Sequence, residues 1–438
     1  MQESINRAVE KLLSISKDVP IKVISHFDTD GITSAAIFSR ALQRAGFKFS
    51  LQILKSLDTK FIESLIDTNP IIFLDLASNS LSDLAKKSCP IFILDHHEII
   101  QALPPNVTLV NPTLSNRQIC SAAICYLFAK TLSPQNKDLA TLAVIGMVGD
   151  NHEKNLCKEY DEILKESETT IKKGLLLYPS TRPIDRVLEY ASSFYIPNIT
   201  GSYSGVLGLL RDAGIQKSGS QYKALYELSQ EEMSNLVSTI TSYLPDKSKA
   251  EELIGNLYLV RFFNKLEDAR ELSALINSCS RMDHPETALG FCLGNSSMKE
   301  KAEKTYINYK QNLVSALKFV EGTEKISGKD YTIINAQDKV KDTIIGTVAS
   351  IISHSNTYNK GTIIIALAYN KDMIKVSARI SGKSEKNVRE VLNRVVVPLG
   401  GEVGGHPNAA GCIISREKEA IFIEELQKTL EIESLKIP

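Results

Sequence analysis

Residues 24–36 read ISHFDTDGITSAA, and they place three chemically active side chains directly after an apolar run. His26, Asp28 and Asp30 are spaced at i, i+2 and i+4, which puts them on the same side of an extended chain. Two carboxylates so close together repel each other unless a positive charge lies between them. The stretch therefore predicts a site for a positively charged group at the end of a buried strand.

Two further apolar runs of the same region also end in an acid. PIIFLD ends at Asp75 and PIFILD ends at Asp95, just as IKVISHFD ends at Asp28. Amphipathic stretches such as ITSAAIFSRALQRAGF and SLSDLAKKS separate these runs. Short apolar strands alternating with amphipathic helices are typical of a doubly wound, mainly parallel sheet. We therefore predict an α/β fold for the first part of the chain.

The acids and histidines of these motifs are expected to lie together, because parallel strands end at one edge of a sheet and ligands bind in the crevice there. Taken singly, each acid has an ordinary structural explanation, such as Asp75 capping the next helix. Their joint occurrence in one predicted sheet favours a functional cluster. The predicted cluster comprises His26, Asp28, Asp30, Asp75, Asp95, His96, His97 and Asp150, the last of which ends the run LAVIGMVGD.

The chemistry of the predicted cluster favours divalent cations. Five carboxylates within a few ångströms cannot all stay ionised without a counter-charge, and no lysine or arginine occurs inside these motifs. Carboxylate and imidazole without thiolate suit Mn²⁺ or Mg²⁺ better than structural zinc. The ligands suffice for two cations that share one aspartate, and a pair of cations about 3.5–4 Å apart hydrolyses phosphodiesters.

The composition limits the other classes of function. The chain has 438 residues with 51 basic and 51 acidic side chains, so a uniformly basic coat is excluded, although a local basic groove is not. No apolar run is long enough to cross a bilayer, so we expect no membrane partner. The seven cysteines form no CxxC pair, which favours buried thiols in a reducing cytoplasm over a disulfide framework or a zinc ribbon.

The patterning predicts three parts. Residues 1–190 form the doubly wound domain, 191–325 a mainly helical connecting region, and 326–438 a smaller α+β domain with a mixed sheet. Within the first part, the charged stretch of residues 152–174 is predicted to be helical. In the last part, GTIIIALAY and MIKVSARI are predicted to form a strand pair.

The motifs HFDTDG, FLDLA, LDHHE and GMVGD resemble the four motifs of the DHH phosphoesterase superfamily. GGEVGGHPNAAG and KVSAR are similar to the glycine-rich signature and the Ser-x-Arg of the companion domain in RecJ-type nucleases. ARELSALINSCSRMD is similar to a segment of the archaeal RecJ-like nucleases in particular. The resemblance spans nearly the whole chain, and it implies a DHH domain followed by its nucleic-acid-binding companion domain.

The resemblance implies a role for each residue of the cluster. It assigns one cation to His26, Asp28 and Asp75, and it makes Asp75 the ligand shared with the second cation. It implies that His97 reaches the scissile phosphate and that Asp95 orients an imidazole, as metal-bound histidines usually require. The implied ligands of the second cation are Asp30, Asp75, His96 and Asp150.

The resemblance also implies a nucleic-acid surface in the C-terminal part. The implied residues are Ser377, Arg379 and His406 as backbone contacts, Gly404 and Gly405 as points of close approach, and Asn277 and Arg281 as further candidates. The family often has three glycines before the histidine, whereas Val403 takes the first of these places here. A valine would be strained there if the position required a positive φ. We interpret His152, His284 and His354, which lie outside the motifs, as structural or surface residues.

The function implied is a Mn²⁺- or Mg²⁺-dependent exonuclease acting on the ends of single-stranded DNA or RNA, in replication, repair or RNA turnover in the cytoplasm. One alternative is a phosphoesterase for short oligonucleotides or cyclic dinucleotides. The other is a replisome-associated binding protein with a partner such as the GINS complex. The polarity of hydrolysis and the preference for DNA or RNA stay open.

Overall fold

The computed structural model describes residues 1–190, 196, 198–243, 253–354, 358–382 and 384–435. The chain forms two compact units, Met1–Tyr306 and Ile307–Pro438. The predicted fold class is confirmed, since a parallel sheet at the N-terminus is followed by a mainly helical middle and a mixed C-terminal sheet. The predicted boundaries at residues 190 and 325 stay predictions. Within the described residues, no helix has both the length and the apolar character that a membrane span needs.

The first sheet has five parallel strands in the order β2-β1-β3-β4-β5. Its central strands are apolar throughout and fully buried, as is typical of strands with helices packed on both faces. The strands are β1 Ile21–His26, β2 Phe49–Leu54, β3 Ile71–Leu74, β4 Ile91–Leu94 and β5 Val107–Val110.

Helices connect these strands and continue beyond the sheet. The helix that follows β1 begins where the Asp28 carboxylate accepts a hydrogen bond from the Gly31 amide, and it ends at Gly46, which has a left-handed φ of 79°. The helices of the first unit are α1 Gln2–Leu13, α2 Thr29–Ala45, α3 Thr59–Ser64, α4 Leu81–Leu84, α5 Ser121–Leu132, α6 Ala140–Gly149, α7 Lys158–Glu166, α8 Ile184–Glu189, α9 Tyr203–Asp212, α10 Gln230–Tyr243, α11 Ala269–Arg281 and α12 Pro285–Cys292; α13 Ser296–Gly322 crosses the division between the units.

Helix α6 packs unusually closely against the start of α2 because two glycines lie on one of its faces. A Cβ atom on Gly146 would lie 2.4 Å from the Ala122 Cβ and 2.7 Å from the Thr33 Oγ1. A Cβ atom on Gly149 would lie 2.7 Å from the Thr29 Cγ2. The two glycines of the GMVGD motif therefore bring the end of α6 next to the start of α2, which Asp28 caps and which carries Asp30 in its first turn.

A small antiparallel sheet follows, with the order β6-β7-β8. Its strands are β6 Thr170–Leu175, β7 Ile254–Phe262 and β8 Lys265–Asp268. The prediction of a helix through residues 152–174 was wrong beyond Glu166, because the stretch from Thr170 is a strand whose backbone pairs with β7. Strand β6 ends at Leu175, which pairs with Ile254, the first residue of β7. The segment between β6 and β7 has a hydrophobic core of its own.

The second unit contains a mixed sheet of six strands in the order β13-β14-β12-β11-β10-β9. Among the strands that the structure describes here, only the β10–β11 pair is parallel, and the strands predicted from GTIIIALAY and MIKVSARI form the β11–β12 pair. The elements are β9 Ile326–Gly328, β10 Tyr331–Asn335, α14 Asp342–His354, β11 Ile363–Asn370, β12 Met373–Ile380, α15 Val388–Val396, β13 Val403–His406, β14 Ala409–Ser415 and α16 Glu419–Leu435.

Val403 is accommodated without strain in this sheet. It pairs with Cys412 in extended backbone, its φ is not positive, and its side chain packs on the core of the second unit. The left-handed region is occupied instead by Gly405, with a φ of 114°, where a Cβ atom would lie 2.4 Å from the Ala409 carbonyl oxygen. The glycine requirement therefore falls on Gly405, and valine suits its own position because it fills part of the core.

Replacing Gly146 by alanine tests the close packing of α6. We expect Gly146→Ala to lower the free energy of unfolding by about 1–3 kcal/mol, because the new methyl group overlaps Ala122 and Thr33. The matched control is Gly208→Ala in α9, where a Cβ atom would meet nothing within 4 Å. It should stabilise the protein by about 0.5–1 kcal/mol through helix propensity. Urea unfolding of the variants measures both effects, and equal stabilities would contradict the proposed packing.

Candidate metal centre and nucleic-acid surface

The predicted acids and histidines gather at the carboxyl edge of the parallel sheet. His26 ends β1, Asp75 follows β3, and the pair Asp95 and His96 follows β4, while Asp150 caps the C-terminus of α6. Among the residues that the structure describes, three sets of side chains have ligand atoms within 4.8 Å of one another. They are His26, Asp28 and Asp75; Asp75, Asp95, His96 and His97; and His96, Asp150 and His152.

Asp75 lies at the centre of the cluster. One of its oxygens, Oδ2, is 3.4 Å from the His26 Nδ1, and the other, Oδ1, is 3.4 Å from the His96 Nε2. The Ser121 hydroxyl donates to Oδ1 at 3.0 Å, and the residue is buried with a left-handed φ of 59°. The carboxylate therefore faces a different imidazole with each oxygen, which is the arrangement expected of a ligand shared between two cations.

The His26 side of the cluster contains a buried nitrogen without a hydrogen-bond partner. Its Nδ1 lies 3.0 Å from the Asp28 Oδ2 and 3.4 Å from the Asp75 Oδ2, but neither contact has the geometry of a hydrogen bond. Buried polar groups are usually hydrogen-bonded, so an unpaired nitrogen between two carboxylates needs an explanation. A cation held jointly by these three side chains provides one, and the residues fit it.

The His96 side of the cluster is surrounded by carboxylates. The His96 Nε2 lies 3.4 Å from Asp75, 3.5 Å from Asp150 and 3.9 Å from Asp30. Burial lowers the pKa of the His96 imidazole, but these carboxylates outweigh burial and raise it to about 10. His96, Asp75, Asp150 and Asp30 are therefore further side chains that could hold a divalent cation.

Asp30 is held by the N-terminus of α5. Its two oxygens accept hydrogen bonds from the amides of Ser121 at 2.7 Å and Ala122 at 2.8 Å. Burial and the neighbouring charges of Asp75 and Asp150 nevertheless raise the pKa of Asp30 well above its ordinary value. In the part of the chain that the structure describes, the acids of the cluster form ion pairs with histidines and with no lysine or arginine. The donor set of carboxylates and imidazoles therefore fits divalent cations, which would supply the missing positive charge.

Asp95 holds His97 rather than facing the centre of the cluster. Its Oδ1 lies 2.7 Å from the His97 Nδ1 and accepts the His96 amide at 2.8 Å, while its Oδ2 accepts the Ser78 amide at 3.0 Å. Burial raises the pKa of the Asp95 carboxyl, but the hydrogen bond and charge of His97 outweigh it and hold the pKa well below its usual range. The His97 ring is half-exposed, and this contact fixes its orientation.

The structure excludes the surface alternative for His152 and adds a contact for Asn277. His152 is not a surface residue, since its side chain is 15% exposed and its Nε2 lies 3.0 Å from the Asp150 Oδ2. Its position two residues after Asp150 was the available signal. The Asn277 Oδ1 accepts a hydrogen bond from the Thr29 amide at 3.0 Å, so this side chain holds the first residue of α2, which lies between Asp28 and Asp30. Its predicted contact with nucleic acid, and that of Arg281, stay predictions.

The predicted nucleic-acid residues of the second unit lie in two adjacent rows across three strands. The first row is Ser377, Gly411 and Gly404, and the second row is Arg379, Ala409 and His406. All six positions lie on the face opposite the core formed with α15 and α16, because side chains alternate along a strand. The small residues Gly411 and Ala409 of β14 lie between the side chains of β12 and that of His406 on β13, and we call this strip of small residues the trough.

The two ends of the trough differ in exposure. Ser377 is buried beneath α14, while Gly404 and His406 are exposed. The guanidinium of Arg379 is positioned by hydrogen bonds to the Ser350 hydroxyl at 2.8 Å and to the Ala378 carbonyl at 2.8 Å. A Cβ atom on Gly404 would meet nothing within 4 Å, so packing within the sheet does not explain the glycine there.

Three domain families match the sequence in succession. The DHH family, N-terminal domain, matches residues 20–147, the DHH-CID domain matches 177–257, and the DHHA1 domain matches 328–431. The chain belongs to the DHH superfamily. It is 26% identical over 435 residues to an uncharacterized protein of Methanocaldococcus jannaschii, and the alignment covers 94% of this chain and 93% of that protein.

Solved structures share the fold of this DHH protein. RecJ of Thermus thermophilus in complex with Mn²⁺ is 15% identical with a TM-score of 0.62, and the match covers 100% of this chain and 55% of RecJ. The chain thus spans about half the length of that protein. CDC45 of Entamoeba histolytica is 14% identical with a TM-score of 0.66, and the match covers 97% of this chain and 99% of that protein. At these identities the likeness concerns the fold, whereas membership of the DHH family and the clustered ligands support a hydrolase that binds divalent metal.

Replacing Asp75 by asparagine tests the shared-ligand geometry. We expect Asp75→Asn to abolish tight binding of Mn²⁺ at both positions, because each position loses the carboxylate that faces its imidazole. Asparagine tolerates the left-handed φ, and the loss of a buried like charge should leave the metal-free protein at least as stable as before. Calorimetric titration with Mn²⁺ and thermal unfolding measure the two quantities.

The control for this experiment is Asp18→Asn, which removes an exposed acid paired with Lys48. It should bind Mn²⁺ as the unchanged protein does. Retention of one tightly bound Mn²⁺ ion in Asp75→Asn would show that this carboxylate is not shared.

Proposed function

We propose that this DHH protein is a divalent-cation-dependent exonuclease that hydrolyses phosphodiester bonds at the ends of single-stranded DNA or RNA. The observation that carries the proposal is the placement of Asp75 between His26 and His96, at 3.4 Å from each. Its DHH domain and the RecJ-like fold support the same class of reaction. Mn²⁺ is the preferred cation of the proposal and Mg²⁺ the alternative.

In this proposal two cations occupy the cluster. His26, Asp28 and Asp75 hold the first, and the ligands of the second are Asp30, Asp75, His96 and Asp150. When bound, such cations supply Lewis acidity and neutralise the charge of the scissile phosphate. The α5 amides that hold Asp30 and the hydroxyl of Ser121 that holds Asp75 keep the two carboxylates in fixed positions.

His97 is the proposed contact to the scissile phosphate. Its Nδ1 is engaged by Asp95, so the ring cannot turn freely and its Nε2 is available to a phosphate oxygen. The side chain is half-exposed, which leaves it accessible to a substrate. Asp95 is then a positioning residue, since it is fully buried and acts through the His97 ring and the backbone amides of the loop.

The trough of the second unit is the proposed binding surface for the nucleic-acid backbone. Arg379 carries a fixed positive charge in a position set by Ser350, and His406 is exposed on the opposite side. Phosphate contacts of this kind bind without reading sequence. Gly404 and Gly411 form a cross-strand pair without side chains, which allows the nucleic-acid backbone to approach the sheet closely.

A replication-associated role is the second candidate. The CDC45 fold matches nearly the whole of both chains, and the DHH-CID domain occurs in this protein between the two other domains. Under this proposal the protein binds replication proteins, such as the GINS complex, in addition to nucleic acid. The complete set of acids and imidazoles at the sheet edge favours hydrolysis as the principal activity, because clusters of ionisable groups with strongly shifted pKa values are typical of active sites.

The central experiment follows hydrolysis of end-labelled single strands of DNA and RNA with Mn²⁺ or Mg²⁺. We expect stepwise shortening from one end, loss of activity with EDTA, and loss of activity in Asp75→Ala because both cations lose a ligand. Dinucleotides and cyclic dinucleotides are tested in parallel, and a preference for them would favour the small-substrate alternative. Full activity of Asp75→Ala would contradict the proposed centre.

Filling the trough tests the nucleic-acid surface. We expect Gly404→Leu to weaken binding of a single strand by about tenfold or more, because the side chain blocks phosphate approach near Arg379. Hydrolysis of a dinucleotide should be unchanged. The matched control is Gly322→Leu in the same unit, where a Cβ atom would also meet nothing within 4 Å. Fluorescence anisotropy measures the affinity, and equal values for the two variants would count against the trough.

A further inference from the structure

His152 lies in the cluster although no motif assigns it there. Its Nε2 is 3.0 Å from the Asp150 Oδ2, and its ligand atom lies within 4.8 Å of those of His96 and Asp150. Its ring meets the His96 ring edge-on, with 5.5 Å between the centroids. A second imidazole therefore faces the same carboxylate that faces His96.

The backbone around His152 is fixed, so this placement does not depend on a loose side chain. Asn151 adopts a left-handed φ of 58° directly after α6, which turns the chain back toward the cluster. Glu153, which follows His152, is buried and accepts a hydrogen bond from Arg270 at 2.8 Å, and its carbonyl accepts one from the Tyr258 hydroxyl. The turn is thus anchored to α11 and to β7.

The ring of His152 is also packed on its outer side. It lies edge-on to Tyr160 at 6.0 Å between the centroids, and Tyr160 is buried. The Tyr160 hydroxyl oxygen accepts a hydrogen bond from the Cys120 amide at 2.7 Å, directly before the α5 amides that hold Asp30. His152, His96 and Asp30 are therefore positioned by one connected set of elements.

A hydrogen bond alone does not explain the contact between His152 and Asp150. Within the described residues, the His97–Asp95 pair has the geometry of a hydrogen bond, whereas the 3.0 Å contact of His152 with Asp150 does not. The same is true of His26 with Asp28, where the nitrogen has no hydrogen-bond partner. Such contacts fit side chains that face a common ion, and the ligand atoms of His96, Asp150 and His152 all lie within 4.8 Å of one another.

We propose that His152 is a further ligand of the cation held by His96 and Asp150. This inference rests on the proposed function, because it adds a ligand to the second of its two cation positions. That position then combines two imidazole nitrogens with carboxylate oxygens. Imidazole nitrogen favours first-row transition cations, whereas Mg²⁺ prefers oxygen ligands in an octahedral arrangement. His152 accordingly biases the second position toward Mn²⁺ and against Mg²⁺.

Calorimetric titration of the metal-free full chain with Mn²⁺ and with Mg²⁺ tests the inference. We expect the unchanged protein to bind two Mn²⁺ ions and His152→Gln to bind one of them about 10- to 100-fold more weakly. Affinity for Mg²⁺ should change much less. The control is His284→Gln, a half-exposed histidine outside the cluster, which should bind both cations as before.

Electron spin-echo envelope modulation of bound Mn²⁺ separates a ligand from a positioning residue. With ¹⁵N-labelled histidine, the unchanged protein should show one Mn²⁺ coupled to two imidazole nitrogens, and His152→Gln should lose one of these couplings. A residue that only orients Asp150 would leave the couplings unchanged. The measurement on the unchanged protein stands even if His152→Gln fails to fold, which circular dichroism reveals.

The outcomes distinguish this inference from the proposed function. If the unchanged protein takes up no Mn²⁺, the proposed function itself fails. If it binds two ions with a single imidazole nitrogen at each, or if folded His152→Gln binds both with unchanged affinity, His152 is not a ligand and the proposed function stands. Loss of one nitrogen coupling together with selective weakening of Mn²⁺ supports the inference.

Discussion

Like charges concentrated at one sheet edge are the constraint on which the rest of the first unit depends. The carboxylates of Asp28, Asp30, Asp75 and Asp150 face imidazoles and, among the described residues, no lysine or arginine pairs with them. Asp30 and Asp75 are buried, which makes their repulsion costly, because a low dielectric strengthens every interaction between charges. The fold keeps this arrangement because the surrounding amides and helices fix each acid, and a bound cation would then stabilise what the apoprotein leaves uncompensated.

The supports of the cluster come from several parts of the chain. The amides at the start of α5 hold Asp30, Asn277 of α11 holds Thr29, and the glycines of α6 let Asp150 come close. Asp75 itself has a left-handed backbone conformation, which costs free energy for a residue other than glycine. Strained conformations of this kind cluster at functional sites, where the surrounding structure enforces them. Hydrogen bonds and packing from separate elements hold the side chains of such a site in defined positions.

The features of the fold that depend on local sequence pattern were predicted from the sequence. Apolar runs ending in acids indicated the parallel sheet and placed Asp75 at its edge, and the strand pair β11–β12 followed from alternation and length. The strand from Thr170 was missed because charged residues extend from α7 into it, and its pairing with β7 is separated by about eighty residues of chain. The role of Val403 was also hidden, since only the register of β13 against β14 shows that its side chain faces the core.

His152 illustrates a different limit of prediction, because spacing alone does not reveal whether a histidine after a helix turns inward.

The pairing of β6 with β7 has a consequence for the segment that connects these two strands. The segment between them leaves and rejoins this strand pair at neighbouring residues, Leu175 and Ile254, and it has its own hydrophobic core. A segment that closes on itself at its base can change in length without displacing the strands that hold it, so we expect its loops to tolerate insertions.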